Sequence, residues 1–106
     1  MIVSYKSAKT THPAPGITRR ILAHSPQIML IEHTTARGSV LPEHRHVHEQ
    51  LVYLLSGEIS LEMNGSRYKV VAGDSFVIPS NVSHKVTALT DAVVLDVFSP
   101  AREDYL

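Results

Sequence analysis

Short apolar runs, punctuated by glycine, proline and asparagine, give this chain the rhythm of strands rather than helices. The pattern begins at Ile17. A strand is predicted over Gln27 to Thr35, ended by Gly38, and a second over Gln50 to Ser56, stopped by Gly57. Ile59, Leu61 and Met63 then alternate with Glu58, Ser60 and Glu62, which is the period of a half-buried strand. Asn64-Gly65 follows, a strong two-residue hairpin signal, and Tyr68 to Val71 returns from it. Ala72-Gly73-Asp74 turns the chain into Ser75 to Ile78, closed by Pro79. Two more strands fit Lys85 to Leu89 and Ala92 to Phe98. No segment sustains a helical period, so the fold class is all-β, a sandwich or a barrel.

The 106 residues suffice for one domain. Residues 1–16, rich in Thr and Pro, read as an irregular arm or edge strand, 17–98 as the barrel, and 99–106 as a tail that leaves the last strand at Pro100. With no cysteine, disulfides, zinc fingers, thiolate nucleophiles and iron–sulfur clusters are excluded. Ten basic residues balance ten acidic ones, so nothing points to nucleic acid or an anionic membrane. No secretory signal or spanning segment is visible, and the expected location is cytoplasmic.

The remaining compositional feature is seven histidines. His44 and His46 stand two apart in Gly38-Ser-Val-Leu-Pro-Glu-His-Arg-His-Val-His-Glu-Gln50, and on extended chain such a pair points to one side and can share an ion. His84 lies far off in sequence, yet a closed sheet can bring it alongside. His12, His24 and His33 read as surface histidines with no task.

The framework around these residues resembles the cupin superfamily. Its first motif places glycine, His-x-His, glutamate and glycine at spacings that Gly38, His44, His46, Gln50 and Gly57 fill in register. Its second, glycine, Pro-x-Gly and histidine, is filled by Gly73, Pro79, Asn81 and His84, with Asn replacing a glycine at small cost because Asn tolerates positive φ. The resemblance implies a double-stranded β-helix, or jelly-roll barrel, holding one divalent ion through His44, His46, Gln50 and His84. Gln50 departs from the usual glutamate. Four neutral ligands leave the ion's full charge in place, which weakens metal binding and strengthens attraction for an anionic, oxygen-rich ligand. The ligand set suits Ni, Zn, Fe, Mn, Co or Cu. Glu49 is a rival ligand placed one position off by strand alternation, and His48 is a rival otherwise read as standing behind the ligands.

A longer set of segments, from Ile21-Leu-Ala-His24 through His44-x-His-x-His-Glu-Gln50 and Ile78-Pro-Ser-Asn-Val-Ser-His84 to Leu95-Asp-Val-Phe-Ser-Pro-Ala-Arg-Glu-Asp104, is similar to the KdgF family of small cupins of pectin and alginate breakdown. That resemblance implies conversion of 4,5-unsaturated uronates to the linear 5-keto-4-deoxyuronate, with Asp96, Phe98 and Arg102 as the proposed catalytic group, and a homodimer. The residues agree in part. Asp96 shares a strand face with Ala92, Val94 and Phe98, on a strand that reads as buried on both faces, and an acid there either has a partner or carries a raised pKa. Arg102 suits bidentate capture of a uronate carboxylate, or pairing with Asp96. Phe98 is core by composition and a pocket wall by resemblance. Tyr53 and Arg19 receive no role. The expected mechanism has the ion polarising substrate oxygens, Arg102 holding the carboxylate and Asp96 moving a proton, without redox change. The competing readings are a cupin dioxygenase, a polyketide-cyclase-like cupin, and a non-catalytic metal- or sugar-binding module.

Overall fold

The alternation seen in the sequence is realised as ten antiparallel strands in two sheets. The computed structural model describes residues 1–106. The strands are β1 Thr10–Ala14, β2 Ile17–Ser25, β3 Ile28–Thr35, β4 Val40–His44, β5 Glu49–Ser56, β6 Glu58–Met63, β7 Ser66–Val71, β8 Ser75–Ile78, β9 His84–Ala88 and β10 Ala92–Ser99. One sheet runs β1-β2-β3-β10-β5-β8 and the other β4-β9-β6-β7. No helix is long and apolar enough to cross a membrane. The tail ends in a short 3-10 turn, Glu103–Tyr105, after a cis Ser99-Pro100 bond.

Burial follows the period of two. On β5, Gln50, Val52 and Leu54 face inward, while Leu51, Tyr53 and Leu55 face out. On β6, Ile59 and Leu61 are buried. Val52, Leu54, Ile59 and Leu61, with Val70, Ile78, Ala92 and Val94, form the larger core between the sheets. A second cluster, Ile21, Met29, Ile31, Phe98 and Ala101, closes the end of the barrel toward the tail. Removing this much apolar surface from water is the main force holding the sheets together.

Turn chemistry sets the connections. Asn64 and Gly65 both have positive φ, 54° and 74°, as the tight hairpin between β6 and β7 requires. Gly57, at φ 83°, passes so close to the start of β10 that a Cβ there would overlap the Asp91 carbonyl and lie 2.8 Å from Ala92 Cα. Only a residue without a side chain fits that crossing.

β10 departs from the sequence reading. Its inward residues Ala92, Val94, Asp96 and Phe98 are buried, but Val93, Leu95 and Val97 are only half-buried, because the outer face of the six-stranded sheet has no second layer over it.

Candidate metal centre and active site

The three imidazoles converge by different routes. His44 is the last residue of β4, and Cα register pairs it with His84, the first residue of β9. His46 lies beyond the end of β4, in the loop before β5, so its convergence comes from the loop and not from strand alternation. That loop is pinned from the second motif. The Asn81 N–H donates to the His46 carbonyl at 2.8 Å, and Asn81 reaches this position with φ 62°, the left-handed conformation that Asn accepts more readily than other side-chain-bearing residues. Ring centroids are 4.4 Å apart for His44 and His84, 5.1 Å for His46 and His84, and 5.5 Å for His44 and His46. One ring nitrogen from each of the three lies within 4.8 Å of the others.

The protons on these rings can be assigned from their partners. Nδ1 of His44 meets the Pro42 carbonyl, Nδ1 of His46 the His48 carbonyl and Nδ1 of His84 the Val82 carbonyl, each at 2.9 Å. A carbonyl only accepts, so each Nδ1 carries the proton and donates, and each neutral ring is left with a bare Nε2. Burial lowers the pKa of His46 and of His84, which favours the neutral form that a metal requires.

Gln50 completes the set. Its amide nitrogen donates to Asp96 Oδ1 at 2.7 Å, so its carbonyl oxygen Oε1 points the other way, 3.1 Å from His46 Nε2. Two lone pairs thus face each other across a distance suited to a hydrogen bond but without a proton between them. Such a pair is repulsive alone and favourable around a cation. The residues therefore fit a divalent ion held by three imidazole nitrogens and one amide oxygen. Glu49 is exposed and turned out of the barrel, as strand alternation requires.

Asp96 is buried and has a partner, though not the one proposed from sequence. Its Oδ2 lies 2.7 Å from Nδ1 of His33, and its Oδ1 accepts from Gln50. His33 was expected at the surface; it is instead only 5% exposed. The reason is parity. His33 shares the inward face of β3 with Met29, Ile31 and Thr35, all buried. His12 and His24 are exposed, as read.

Arg102 does not pair with Asp96. Its Nε and Nη2 donate to the two carboxylate oxygens of Asp104, at 3.1 and 2.9 Å, because Asp104 is two residues away on the same turn. This fork holds the Asp104 carboxyl below its ordinary pKa. The guanidinium carbon lies 5.2 Å from the Phe98 ring centre and 4.2 Å from that of Tyr105. Arg102 Nη1 is buried without a protein partner, and so is His48 Nδ1. Phe98 presents its ring to His46, with centroids 5.6 Å apart, and to His48 at 6.4 Å. The group Asp96, Phe98 and Arg102 thus adjoins the histidine cluster. A cavity of about 600 Å³ is lined by Glu43, Ser83 and the β6–β7 hairpin, and by none of His44, His46, Gln50 and His84.

Arg19 and Tyr105 complete the surroundings. Arg19 Nε donates to His33 Nε2 at 3.1 Å, and its guanidinium stacks on the Tyr105 ring at 3.7 Å. Neither residue was assigned a role from sequence. The shared parity of Arg19 with the buried Ile17 and Ile21 on β2 was the available signal.

Two antiparallel sheets closed around an inward cluster of three histidines and a glutamine define a class of protein, and the cupin-domain family matches residues 31–98. The chain belongs to the cupin family. Within it, the chain is 31% identical over 93 residues, spanning 86% of its own length and 84% of the relative, to the pectin degradation protein KdgF of Dickeya dadantii (strain 3937). Its structure is similar to that of KdgF from Halomonas sp., with a TM-score of 0.92, 34% identity and 100% of both chains covered. It is also similar to an RmlC-like cupin from Shewanella frigidimarina NCIMB 400, with a TM-score of 0.93, 28% identity, and 99% and 95% of the two chains covered.

Proposed function

We propose that this cupin binds one divalent metal ion and converts 4,5-unsaturated uronate monosaccharides to the linear 5-keto-4-deoxyuronate, a step of pectin or alginate breakdown. The observation that carries this reading is the placement of Asp96, a buried acid one hydrogen bond from Gln50 and two residues along β10 from Phe98. Similarity to KdgF supplies the substrate class.

The reaction is an isomerisation. The anomeric hydroxyl loses its proton as the ring C–O bond breaks, and the enolate so freed takes one proton back at the alkene carbon to become a ketone. No atoms are gained and no electrons leave. His44, His46, His84 and Gln50 would hold the ion, which supplies Lewis acidity toward substrate oxygens. Asp96 moves the proton, with its two oxygens held by His33 and Gln50 so that the carboxylate is aimed and not free to rotate. Arg102 Nη1, buried and unpartnered, takes the substrate carboxylate, while Asp104 fixes the rest of the guanidinium. Phe98 walls the site between the imidazoles and Arg102.

Two finer expectations belong to the same reading. The active form is a homodimer, for which Leu51, Tyr53, Leu55 and Val77 on the outer sheet face supply exposed apolar surface. The setting is the cytoplasm. Sedimentation would give the mass of two chains, and cell fractionation would give the location.

The deciding assay follows loss of the conjugated enol absorbance of a lyase-generated unsaturated uronate. Protein should accelerate the loss, a chelator should remove the acceleration, and added divalent metal should restore it. A decay rate indifferent to protein sinks the proposal. Asp96→Asn protein should lose turnover by about a hundredfold or more, the usual worth of a positioned acid or base, while its metal content stays near that of the parent.

A further inference from the structure

Four polar side chains cross the concave face of the six-stranded sheet in one unbroken row. Arg19 on β2 stands directly opposite His33 on β3. His33 is diagonal to Asp96 on β10, since Asp96 registers with Ile31 and His33 with Val94. Asp96 is in turn diagonal to Gln50 on β5, which registers with Phe98. Diagonal neighbours on one face of an antiparallel sheet lie within reach of long side chains. The row therefore steps across β2, β3, β10 and β5, adjacent strands of one sheet, and ends at the ligand cluster.

Each bond in the row has only one possible direction. An arginine Nε–H can only donate, so His33 Nε2, at 3.1 Å, must accept. The proton of the His33 ring is then on Nδ1, which donates to Asp96 Oδ2 at 2.7 Å. Asp96 uses its other oxygen to accept from the Gln50 amide nitrogen. Only then is the Gln50 carbonyl oxygen turned toward His46.

We propose that Arg19 and His33 are positioning residues of the metal centre, which act through Asp96 to keep the oxygen of Gln50, and not its NH₂, facing the ion. A glutamate ligand needs no such control, because both ends of a carboxylate coordinate. A glutamine presents either an acceptor or a donor, and a half-turn of the amide would aim N–H groups at a cation. Arg19 fixes the proton of His33, His33 and Gln50 together fix the plane of the Asp96 carboxylate, and Tyr105 holds Arg19 by stacking. Outer partners of metal ligands typically matter by about tenfold to a hundredfold in affinity. This inference rests on His44, His46, Gln50 and His84 being the ligands, and does not depend on uronate chemistry.

The test reads metal affinity and proton position in the full chain. Nitrogen-15 spectra of the zinc-loaded protein should show His33 protonated at Nδ1 and bare at Nε2. Arg19→Met should move the His33 Nε2 resonance and weaken cobalt binding by about tenfold. His33→Leu should weaken it by up to about a hundredfold, and His33→Asn, whose amide N–H can replace Nδ1–H, should recover most of that loss. Circular dichroism accompanies each variant; if His33→Leu does not fold, Arg19→Met and the nitrogen resonances decide. A wild-type His33 protonated at Nε2, a folded Arg19→Met protein with an unmoved His33 Nε2 resonance and the cobalt affinity of wild type, or a folded His33→Leu protein that binds cobalt as wild type does, would overturn the proposal. Wild-type protein that binds no cobalt would overturn the ligand assignment beneath it, whereas the absence of uronate turnover would count only against the enzymatic reading.

Discussion

The two sides of the candidate metal centre are built differently. On the histidine side, every ligand is oriented by its own neighbourhood, with each Nδ1 donating to a carbonyl two residues away. On the glutamine side, orientation comes from bonds between residues 46, 63 and 14 positions apart, carried across four strands. The first side is partly open, with His44 exposed, whereas Gln50, Asp96 and His33 are all buried. A backbone carbonyl survives any substitution, so the histidine side is robust to changes around it. The buried row relies on side chains alone, and the loss of one leaves its neighbour unsatisfied.

The largest effect that would test this contrast is removal of the local side. His44→Ala with His84→Ala should reduce metal affinity by more than about a hundredfold, beyond what outer partners alone can do, and metal analysis of dialysed protein should find only background. Gln50→Glu probes the other side. It sets a second carboxylate against Asp96, and two carboxylates in contact keep one proton between them. The metal-free variant should be less stable by about 2 kcal/mol in urea unfolding, and zinc should recover more stability in it than in the parent. A metal-free variant as stable as the parent would show that the row is not tuned to an amide. Tyr105→Leu removes the stack on Arg19 and Arg102 and should cost about 1 kcal/mol by the same measurement.

The smallest effect expected is on pH. Burial holds His46, His48 and His84 below the ordinary imidazole pKa of 6.5. The unfolded chain therefore takes up protons before the folded one does. Stability of the metal-free protein should be full above that value and decline as pH falls from there through the lowered folded values. Urea midpoints across this window check the sign; a midpoint that rises on acidification would contradict it.

The same contrast explains what could be read from the sequence. His44, His46, Gln50 and His84 stand at spacings fixed by short segments, so they were visible, as was the hairpin at Asn64-Gly65. His33 was misread because a single histidine was judged alone; its parity with Met29 and Ile31 placed it inside. Arg19 was harder: it shares the parity of Ile17 and Ile21, but it stands between Thr18 and Arg20 in a polar stretch, and nothing local marks it as inward until its partner His33 is known to be buried. The Arg102 partner was misjudged because a two-residue turn pairing with Asp104 competes successfully with a long-range one to Asp96. Tyr105 lies past the last strand, where period-two reasoning has nothing to act on.

Gly57 carries a consequence for mutational surveys of this protein. Any side chain there would have to displace the opening residues of β10, and β10 is the strand that delivers Asp96 and Phe98 to the centre. A screen for inactive variants should therefore collect substitutions at this remote crossing beside those in the proposed catalytic group. The two classes would separate by thermal melting, because displacing a strand disturbs the whole barrel while exchanging one acid spares it.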